Sequence, residues 1–191
     1  MTETITDRRS DPESGKPDEP GARRTRLREF QSRLLERMQA VRSGSDSGVS
    51  RLGVMLGDSR WLLDLQQAGE IVSVGNITAV PLTQDWYLGL ANIRGNLTSV
   101  IDFARFQGLA PSAIDKESRI VAFAPALSFN SALLVSRVLG LRNVADMELR
   151  TAEAGAAPWA GQQYVDRDAQ LWTQLDLSLL VQDSRFLHVG I

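Results

Sequence analysis

The stretch that decides the fold reads Pro81-Leu-Thr-Gln-Asp-Trp-Tyr-Leu-Gly-Leu-Ala-Asn-Ile-Arg-Gly-Asn-Leu-Thr-Ser-Val-Ile-Asp-Phe103. Pro81 is expected to end a strand, because proline has no amide hydrogen to give to a β-ladder. Gly89 and Gly95 permit backbone angles or close approaches that a Cβ atom would block. Asp102 follows an apolar strand and is placed to cap a helical turn. Strands bent by glycine in this way are how small β-barrels close.

The chain on both sides of this stretch is divided into short aliphatic or β-branched segments separated by turn signals. This sequence pattern is typical of a β-barrel or β-sandwich. Two strand endings, Ser99–Phe103 and Trp172–Leu177, resemble each other and indicate two similar halves. We expect short helical turns at 102–108 and 176–182. The predicted strands are Arg51–Leu56, Arg60–Leu65, Ile71–Val74, Asn96–Ile101, Ile120–Phe123, Ala132–Val138, Val144–Leu149, Gln163–Val165 and Leu171–Leu175.

The amino-terminal quarter differs in composition from the rest. Residues 1–22 are rich in acids and prolines and poor in large apolar side chains, which predicts a disordered tail. Apolar side chains at spacings of three and four predict an amphipathic helix over 23–42, whose other faces carry seven arginines. A Ser/Gly-rich linker at 43–48 leads to a domain at 49–191. The helix could pack on its own barrel, dock a partner, or contact nucleic acid or a membrane.

The composition of the 191 residues excludes several classes of site. There is no cysteine, and the only histidine is His188, which we interpret as a terminal strand residue. Disulfide frameworks, thiolate zinc sites and cysteine nucleophiles are therefore excluded, and none of the common phosphate-binding or hydrolase motifs is present. We expect no enzymatic activity, no cofactor and no metal. No apolar run approaches the roughly 18 residues of a membrane span, and the amino terminus does not resemble a signal peptide, so we expect a cytoplasmic protein without membrane insertion.

A family resemblance is carried by the middle of the opening stretch. Gly89-Leu90-Ala91-Asn92-Ile93-Arg94-Gly95 resembles the hallmark of the CheW family, Gly-[LFV]-x-Asn-[LI]-Arg-Gly. Val100-Ile101-Asp102-Phe103 follows at the distance expected for that family. The sequence of residues 86–96 resembles the PilI branch, which serves type IV pili and twitching motility. The segment Leu-Arg-Glu-Phe-Gln in the predicted helix resembles the same branch. The chain departs from the family at Ser99, where proline is frequent, and at Ser136, where aspartate is common.

The resemblance implies a mainly β, CheW-like fold of two five-stranded SH3-like barrels, here with an added N-terminal amphipathic helix. It also implies a non-catalytic adaptor that couples a chemoreceptor to a CheA-like histidine kinase. The implied partners are the regulatory domain of the kinase, the cytoplasmic tip of the receptor and other CheW-like domains in arrays. No nucleic acid is expected among them.

Seven residues are candidates for the site. The resemblance implies partner binding for Arg94, Glu70, Asn92 and Ile120, and a structural turn role for Gly89, Gly95 and Pro81. Two interpretations of Arg94 stay open: a cation that meets a partner carboxylate, or a structural arginine that pairs with Glu70. Asn92 could contact a partner or bond to nearby backbone in a turn. Trp86 could be a core residue or a half-exposed anchor.

Two functions from other classes compete with the adaptor. The first is a β-barrel that binds nucleic acid with help from the arginine-rich helix. The second is an enzyme that uses Glu70, Asp102 and Arg94, which requires a pocket that brings these three side chains together.

Overall fold

The computed structural model describes residues 50–151 and 155–191. The predicted tail at 1–22, the helix at 23–42 and the linker at 43–48 lie outside the described residues. The strands are β1 Ser50–Leu56, β2 Ser59–Asp64, β3 Ala68–Ser73, β4 Ile77–Thr78, β5 Tyr87–Ile93, β6 Asn96–Asp102, β7 Arg119–Phe123, β8 Ser131–Val135, β9 Arg137–Asn143, β10 Glu148–Arg150, β11 Ala160–Val165 and β12 Leu171–Leu175. Single-turn helices are α1 Phe103–Phe106, α2 Leu177–Leu180 and α3 Ser184–Leu187, with 3₁₀ turns at Pro125–Leu127 and Val144–Asp146.

The described strands form two six-stranded sheets. The central sheet, made from the continuous run β3 to β8, has the order β3-β7-β8-β6-β5-β4. The terminal sheet takes strands from both ends of the described chain and has the order β10-β11-β12-β2-β1-β9. Neighbouring strands are antiparallel except for β6 with β8 and β2 with β12, which are parallel.

The two sheets repeat one architecture. Read from β3 and from β9, each has two antiparallel pairs, then a parallel pair, then two antiparallel pairs. Each parallel pair contains the strand that runs into a capped single-turn helix, with Asp102 capping α1 and Asp176 capping α2. The backbone N–H of each aspartate donates to a tryptophan carbonyl, of Trp86 and Trp159 respectively, at 2.9 Å in both halves. The repeat predicted from the two strand endings is therefore confirmed.

The largest apolar cluster lies between the two sheets. Leu52, Val54 and Leu56 alternate along β1 and face it, as the two-residue period of a strand requires. Aromatic rings fill its middle, with Phe103 in edge-to-face contact with Trp61 at 5.3 Å and with Trp159 at 5.1 Å between ring centroids. Buried side chains from the two sheets thus share one core.

The other face of each sheet also carries buried side chains. A smaller cluster on the central sheet contains Ala91, Ile93, Val100, Ile120, Ala132 and Leu134. The central strand β8 is consequently buried along its whole length. On the terminal sheet, Trp172 is 1% exposed and lies under the guanidinium of Arg142, 5.0 Å from its carbon to the ring centroid. Gly53 is needed beside it, because a Cβ there would come within 2.9 Å of the Trp172 ring.

Several sequence-based expectations need correction. The fold is mainly β as predicted, but each sheet has six strands where five were expected. The predicted strand Val144–Leu149 is a 3₁₀ turn at Val144–Asp146 followed by β10. The strands β5 and β9 and the two-residue β4 were not predicted. The predicted strand Ala132–Val138 is divided at Ser136. Up to Val135 the chain pairs with β7, and from Arg137 it pairs with β1. The Ser136 N–H donates to the Met55 carbonyl of β1, so the chain changes sheets at this residue. His188 ends helix α3 and is not a strand residue.

The carboxyl-terminal helix α3 ties the end of the chain to the shared core. Phe186 is 1% exposed and packs against the rings of Trp86, Phe106, Phe123 and Phe129 at centroid distances of 5.5 to 6.3 Å. Its neighbour Leu187 is 52% exposed.

We predict that Phe186→Ala lowers the free energy of unfolding by about 3–5 kcal/mol, because it removes a fully buried ring and leaves a cavity. Leu187→Ala is the matched control and should cost under about 1 kcal/mol. Urea unfolding followed by tryptophan fluorescence measures both. Equal losses in the two variants would contradict the role given to Phe186.

Asp176 joins the two halves through its cap. Gln67, between β2 and β3, donates to its carboxylate at 3.0 Å and accepts from the Leu177 N–H at 2.8 Å. Burial alone would raise the pKa of Asp176, but hydrogen bonds from the side chains of Ser178 and Gln67 and from two backbone N–H groups hold that pKa below its usual value.

We predict that this cap stabilises the fold above the unfolded-state pKa of roughly 3.9 and that the contribution is lost as pH falls through the depressed folded-state pKa. The stability difference between the wild type and Asp176→Asn should therefore be largest near neutral pH and shrink below about pH 4. Denaturant unfolding at several pH values measures it, with Asp168→Asn, at an exposed position, as control. A difference that does not change with pH would contradict the prediction.

Candidate functional site

The tip of the β5–β6 hairpin is a two-residue turn formed by Arg94 and Gly95. Ile93 pairs with Asn96, and the two turn residues have φ angles of +50° and +90°. Positive φ at both central positions is the signature of the type I′ turn that suits hairpin twist. The side-chain oxygen of Asn92 accepts from the Gly95 N–H at 2.7 Å. The side chain of Asn92 therefore bonds to backbone within its own turn, and a partner contact by Asn92 stays a prediction.

Arg94 is an unusual residue for this position. A left-handed backbone conformation costs a residue with a Cβ roughly 1–2 kcal/mol, and asparagine or glycine is usually found there. In return, the conformation places a long cation at the extreme tip of the hairpin, where its side chain is 76% exposed. Backbone strain of this kind is often found at functional sites, which makes Arg94 a candidate for a partner contact.

Arg94 forms an ion pair with Glu70 on β3. Its Nε lies 2.9 Å from a carboxylate oxygen of Glu70, whose side chain is 46% exposed. An exposed pair of this kind contributes only about 0–1 kcal/mol to stability. In this conformation the pair orients the guanidinium toward β3 and leaves most of the Arg94 side chain accessible.

The pair stands at the edge of a concavity of about 520 Å³, which we call the arginine concavity. Its lining combines apolar rings with amide and hydroxyl groups, so it offers both contact area and hydrogen bonds. The lining residues are Gly69, Glu70, Ile93, Arg94, Asn96, Thr98, Ala122, Phe123, Ala124, Pro125, Phe129, Asn130 and Ser131. Sequence reasoning missed the 129–131 loop, because nothing in its residues signals that it folds back beside the hairpin tip.

Ile120 does not belong to this surface. It is 1% exposed and lies in the smaller core cluster, on the face of β7 opposite to Val121. Its side chain is not available to a partner in this conformation, and the expectation that it binds one is corrected. Its apolar, β-branched character is explained by packing.

Gly89 and Pro81 shape the approach of β4 to β5. Gly89 has a φ of +130° at an irregularity in β5, and a Cβ there would lie 2.2 Å from the Thr78 carbonyl oxygen. Pro81 precedes Leu82, whose φ is +59°, which is the pattern of a type II turn. Gly89 therefore lies within β5 at an irregularity and not in a turn, whereas Pro81 lies in the turn that follows β4, which ends at Thr78.

The enzyme hypothesis required Glu70, Asp102 and Arg94 in one pocket. Asp102 is 1% exposed and caps α1 at the far end of β6, so the structure does not bring the three together. Among residues 50–151 and 155–191, no three His, Cys, Asp or Glu side chains are grouped so that they could hold a metal ion. No helix in this part of the chain is long and apolar enough to cross a membrane.

Comparison with known proteins gives the family. Residues 51–185 match the family model described as CheW-like domain. The chain belongs to the CheW-like family. This CheW-like chain is also similar to the protein PilI of Pseudomonas aeruginosa, with 25% identity over 170 residues that cover 87% of this chain and 91% of the relative.

A solved structure supports the fold. The scaffolding protein TtCheW from Thermoanaerobacter tengcongensis superimposes with a TM-score of 0.58 at 21% sequence identity. The match covers 68% of this CheW-like chain and 84% of that protein.

The two glycines of the hairpin should differ in what they tolerate. We predict that Gly89→Ala lowers the free energy of unfolding by about 3 kcal/mol or more, because the new Cβ collides with backbone and the backbone angle is strained. Gly95→Ala meets open space and should cost only the left-handed strain, about 1–2 kcal/mol. Urea unfolding of both variants provides the comparison. A smaller loss for Gly89→Ala than for Gly95→Ala would be inconsistent with the close approach of β4.

Proposed function

We propose that this chain is a non-catalytic adaptor that couples a chemoreceptor of the methyl-accepting type to a CheA-like histidine kinase. The observation that carries the proposal is the Arg94–Glu70 pair, held at a hairpin tip within the stretch that resembles the family hallmark. A strained and exposed arginine with a fixed direction is suited to recognise a carboxylate on a partner. The proposal implies a cytoplasmic location, where kinase and receptor tip are found together.

The pilus system is the proposed setting. The likeness to PilI of Pseudomonas aeruginosa extends over most of both chains and supports control of type IV pilus twitching motility. The name of TtCheW, a scaffolding protein, supports the non-catalytic role. Contacts with other CheW-like domains in an array are part of the same proposal.

Charge does not favour the nucleic-acid alternative. Residues 50–191 contain more acidic than basic side chains, and the formal net charge of the chain is −2. Binding to a polyanion depends on a concentration of basic groups. The arginine-rich segment 23–42 lies outside the described residues.

Arg94 is the residue on which partner binding can be tested. We predict that Arg94→Glu weakens binding to one of the two proposed partners at least about tenfold, because a cation meets a carboxylate there. The free energy of unfolding should change by less than about 1 kcal/mol, since the pair is exposed. Titration against the purified kinase regulatory domain and the receptor cytoplasmic fragment measures binding.

The double variant Glu70→Arg/Arg94→Glu separates the two roles of Arg94. It restores an ion pair with reversed polarity but leaves the cation on β3, so binding should stay weak. Full recovery of binding in the double variant would instead assign Arg94 a structural role. Failure of the wild type to bind either partner at tens of micromolar would reject the adaptor.

A further inference from the structure

Glu70, the ion-pair partner of Arg94, stands on backbone that its own sheet supports weakly. β3 lies at an edge of the central sheet and pairs with β7 on one side. The register of β3 against β7 shifts between Ala68 and Ile71, and Glu70 lies in this β-bulge. A bulge interrupts the ladder and bends the strand that contains it. The place of the Glu70 carboxylate, and with it the direction of Arg94, therefore depends on what holds the start of β3.

The backbone of Gln67 holds the start of β3. Gln67 lies in the turn between β2 and β3, where the chain passes from the terminal sheet to the central sheet. Its N–H donates to the Asp64 carbonyl at 3.0 Å, and its carbonyl accepts from the Ala124 N–H at 2.8 Å. Ala124 directly follows β7 and lines the arginine concavity. Gln67 thus joins the two strands, β3 and β7, that form one wall of that concavity.

The side chain of Gln67 fastens this turn to the terminal sheet. Its Nε2 donates to the Asp176 carboxylate at 3.0 Å, and its Oε1 accepts from the Leu177 N–H at 2.8 Å. We call these two hydrogen bonds the glutamine clamp. Neither Gln67 nor Asp176 lines the arginine concavity, whose lining residues all fall within 69–131. An effect of the clamp on a partner bound there must therefore pass through the wall.

The corresponding cap in the central half of the fold is built without such a clamp. In both halves the aspartate accepts from two N–H groups of the helical turn that it caps. Asp102 adds hydrogen bonds from Ser112, ten residues further along the chain. Asp176 instead receives one from Gln67, at a separation of 109 residues. Because the cap itself needs no distant partner, the clamp has a role besides capping.

We propose that Gln67 is a positioning residue for the arginine concavity. The glutamine clamp holds the start of β3 and the end of β7 against the cap of α2, so that Glu70 keeps the place from which it orients Arg94. A wall that is fixed before binding saves the entropy of ordering it when a partner arrives. The terminal sheet thereby acts on a recognition surface that it does not line. This inference rests on the proposed function.

The first test measures binding of the full chain to the proposed partner whose affinity Arg94→Glu lowers. Gln67→Ala should weaken this binding about three- to tenfold, although Gln67 does not line the concavity. Adding Arg94→Glu to Gln67→Ala should cost less than the sum of the two losses, because both act on one contact. Gln66→Ala is the matched control, since Gln66 is exposed in the same turn and bonds to Asp64 through its backbone.

The variant Gln67→Glu separates positioning from a general loss of stability. Protonated glutamate has the donor and the acceptor of glutamine, whereas its carboxylate would face that of Asp176, and two carboxylates so close raise the pKa of one of them. Asp176, whose pKa lies below its usual value, stays ionised near neutral pH, and the nearby Ser178 hydroxyl does not titrate. Relative to the wild type at each pH, the affinity of Gln67→Glu should recover as pH falls from about 7.5 to about 5.5, while that of Gln67→Ala stays low.

Nuclear magnetic resonance of the isolated chain tests the positioning without any partner. The Nε–H signal of Arg94 reports the ion pair, since this nitrogen lies 2.9 Å from the Glu70 carboxylate. In Gln67→Ala this signal should move toward its position in Glu70→Gln, and the Ala124 N–H should exchange faster with solvent. Gln66→Ala should leave both signals unchanged.

The outcomes distinguish this inference from the proposed function. If Arg94→Glu weakens binding but folded Gln67→Ala binds like the wild type, Gln67 is not a positioning residue, while the adaptor stands. A Gln67→Glu variant with the same pH dependence as Gln67→Ala would assign the clamp to stability alone. If the wild type binds neither partner, the adaptor fails, and the Arg94 and Ala124 signals alone then decide whether Gln67 positions the pair.

Discussion

Each sheet of this protein has an apolar face that packs against the other sheet and the single-turn helices, and the rest of the structure follows from that constraint. β1 presents Leu52, Val54 and Leu56, while β7 and β8 present side chains such as Val121 and Leu133 from the opposite side. Aromatic rings occupy the space between them and lock the halves together at angles set by edge-to-face contact. Because this core is shared, destabilising one half should loosen the other.

The shared core explains why the candidate surfaces lie where they do. The faces of both sheets are used for packing, which leaves strand ends and hairpin tips for recognition. Arg94 stands at one such tip. Residues that bind partners are often carried on loops that a rigid scaffold positions, and the paired strands β5 and β6 supply that support here.

Local signals in the sequence predicted the helical turns after β6 and β12 and several strands of the central sheet, but not β4 or β5. Asp102 and Asp176 are caps because a carboxylate after an apolar strand satisfies the free N–H groups of a helical turn, and both are recognisable without a structure. Gly95 and Asn92 likewise predict a turn. Long-range relations were not readable: Ile120 looks like any exposed β-branched residue until its neighbours on β8 are known. The two-residue β4 leaves no periodicity, and its pairing depends on the approach that Gly89 allows.

The division of the terminal sheet between the two ends of the chain has a consequence for how the protein is made. During synthesis, all six strands of the central sheet emerge before β9, whereas β2 must wait for β12, the last strand within residues 50–151 and 155–191, to complete its parallel pair. Until β12 is synthesised, the β1–β2 hairpin has an exposed apolar face and an unpaired strand edge. This combination favours incorrect pairing with other strands. Strands that are far apart in sequence, such as β2 and β12, also pair slowly. We therefore expect the nascent chain to be most prone to aggregation in the interval before β12 pairs with β2.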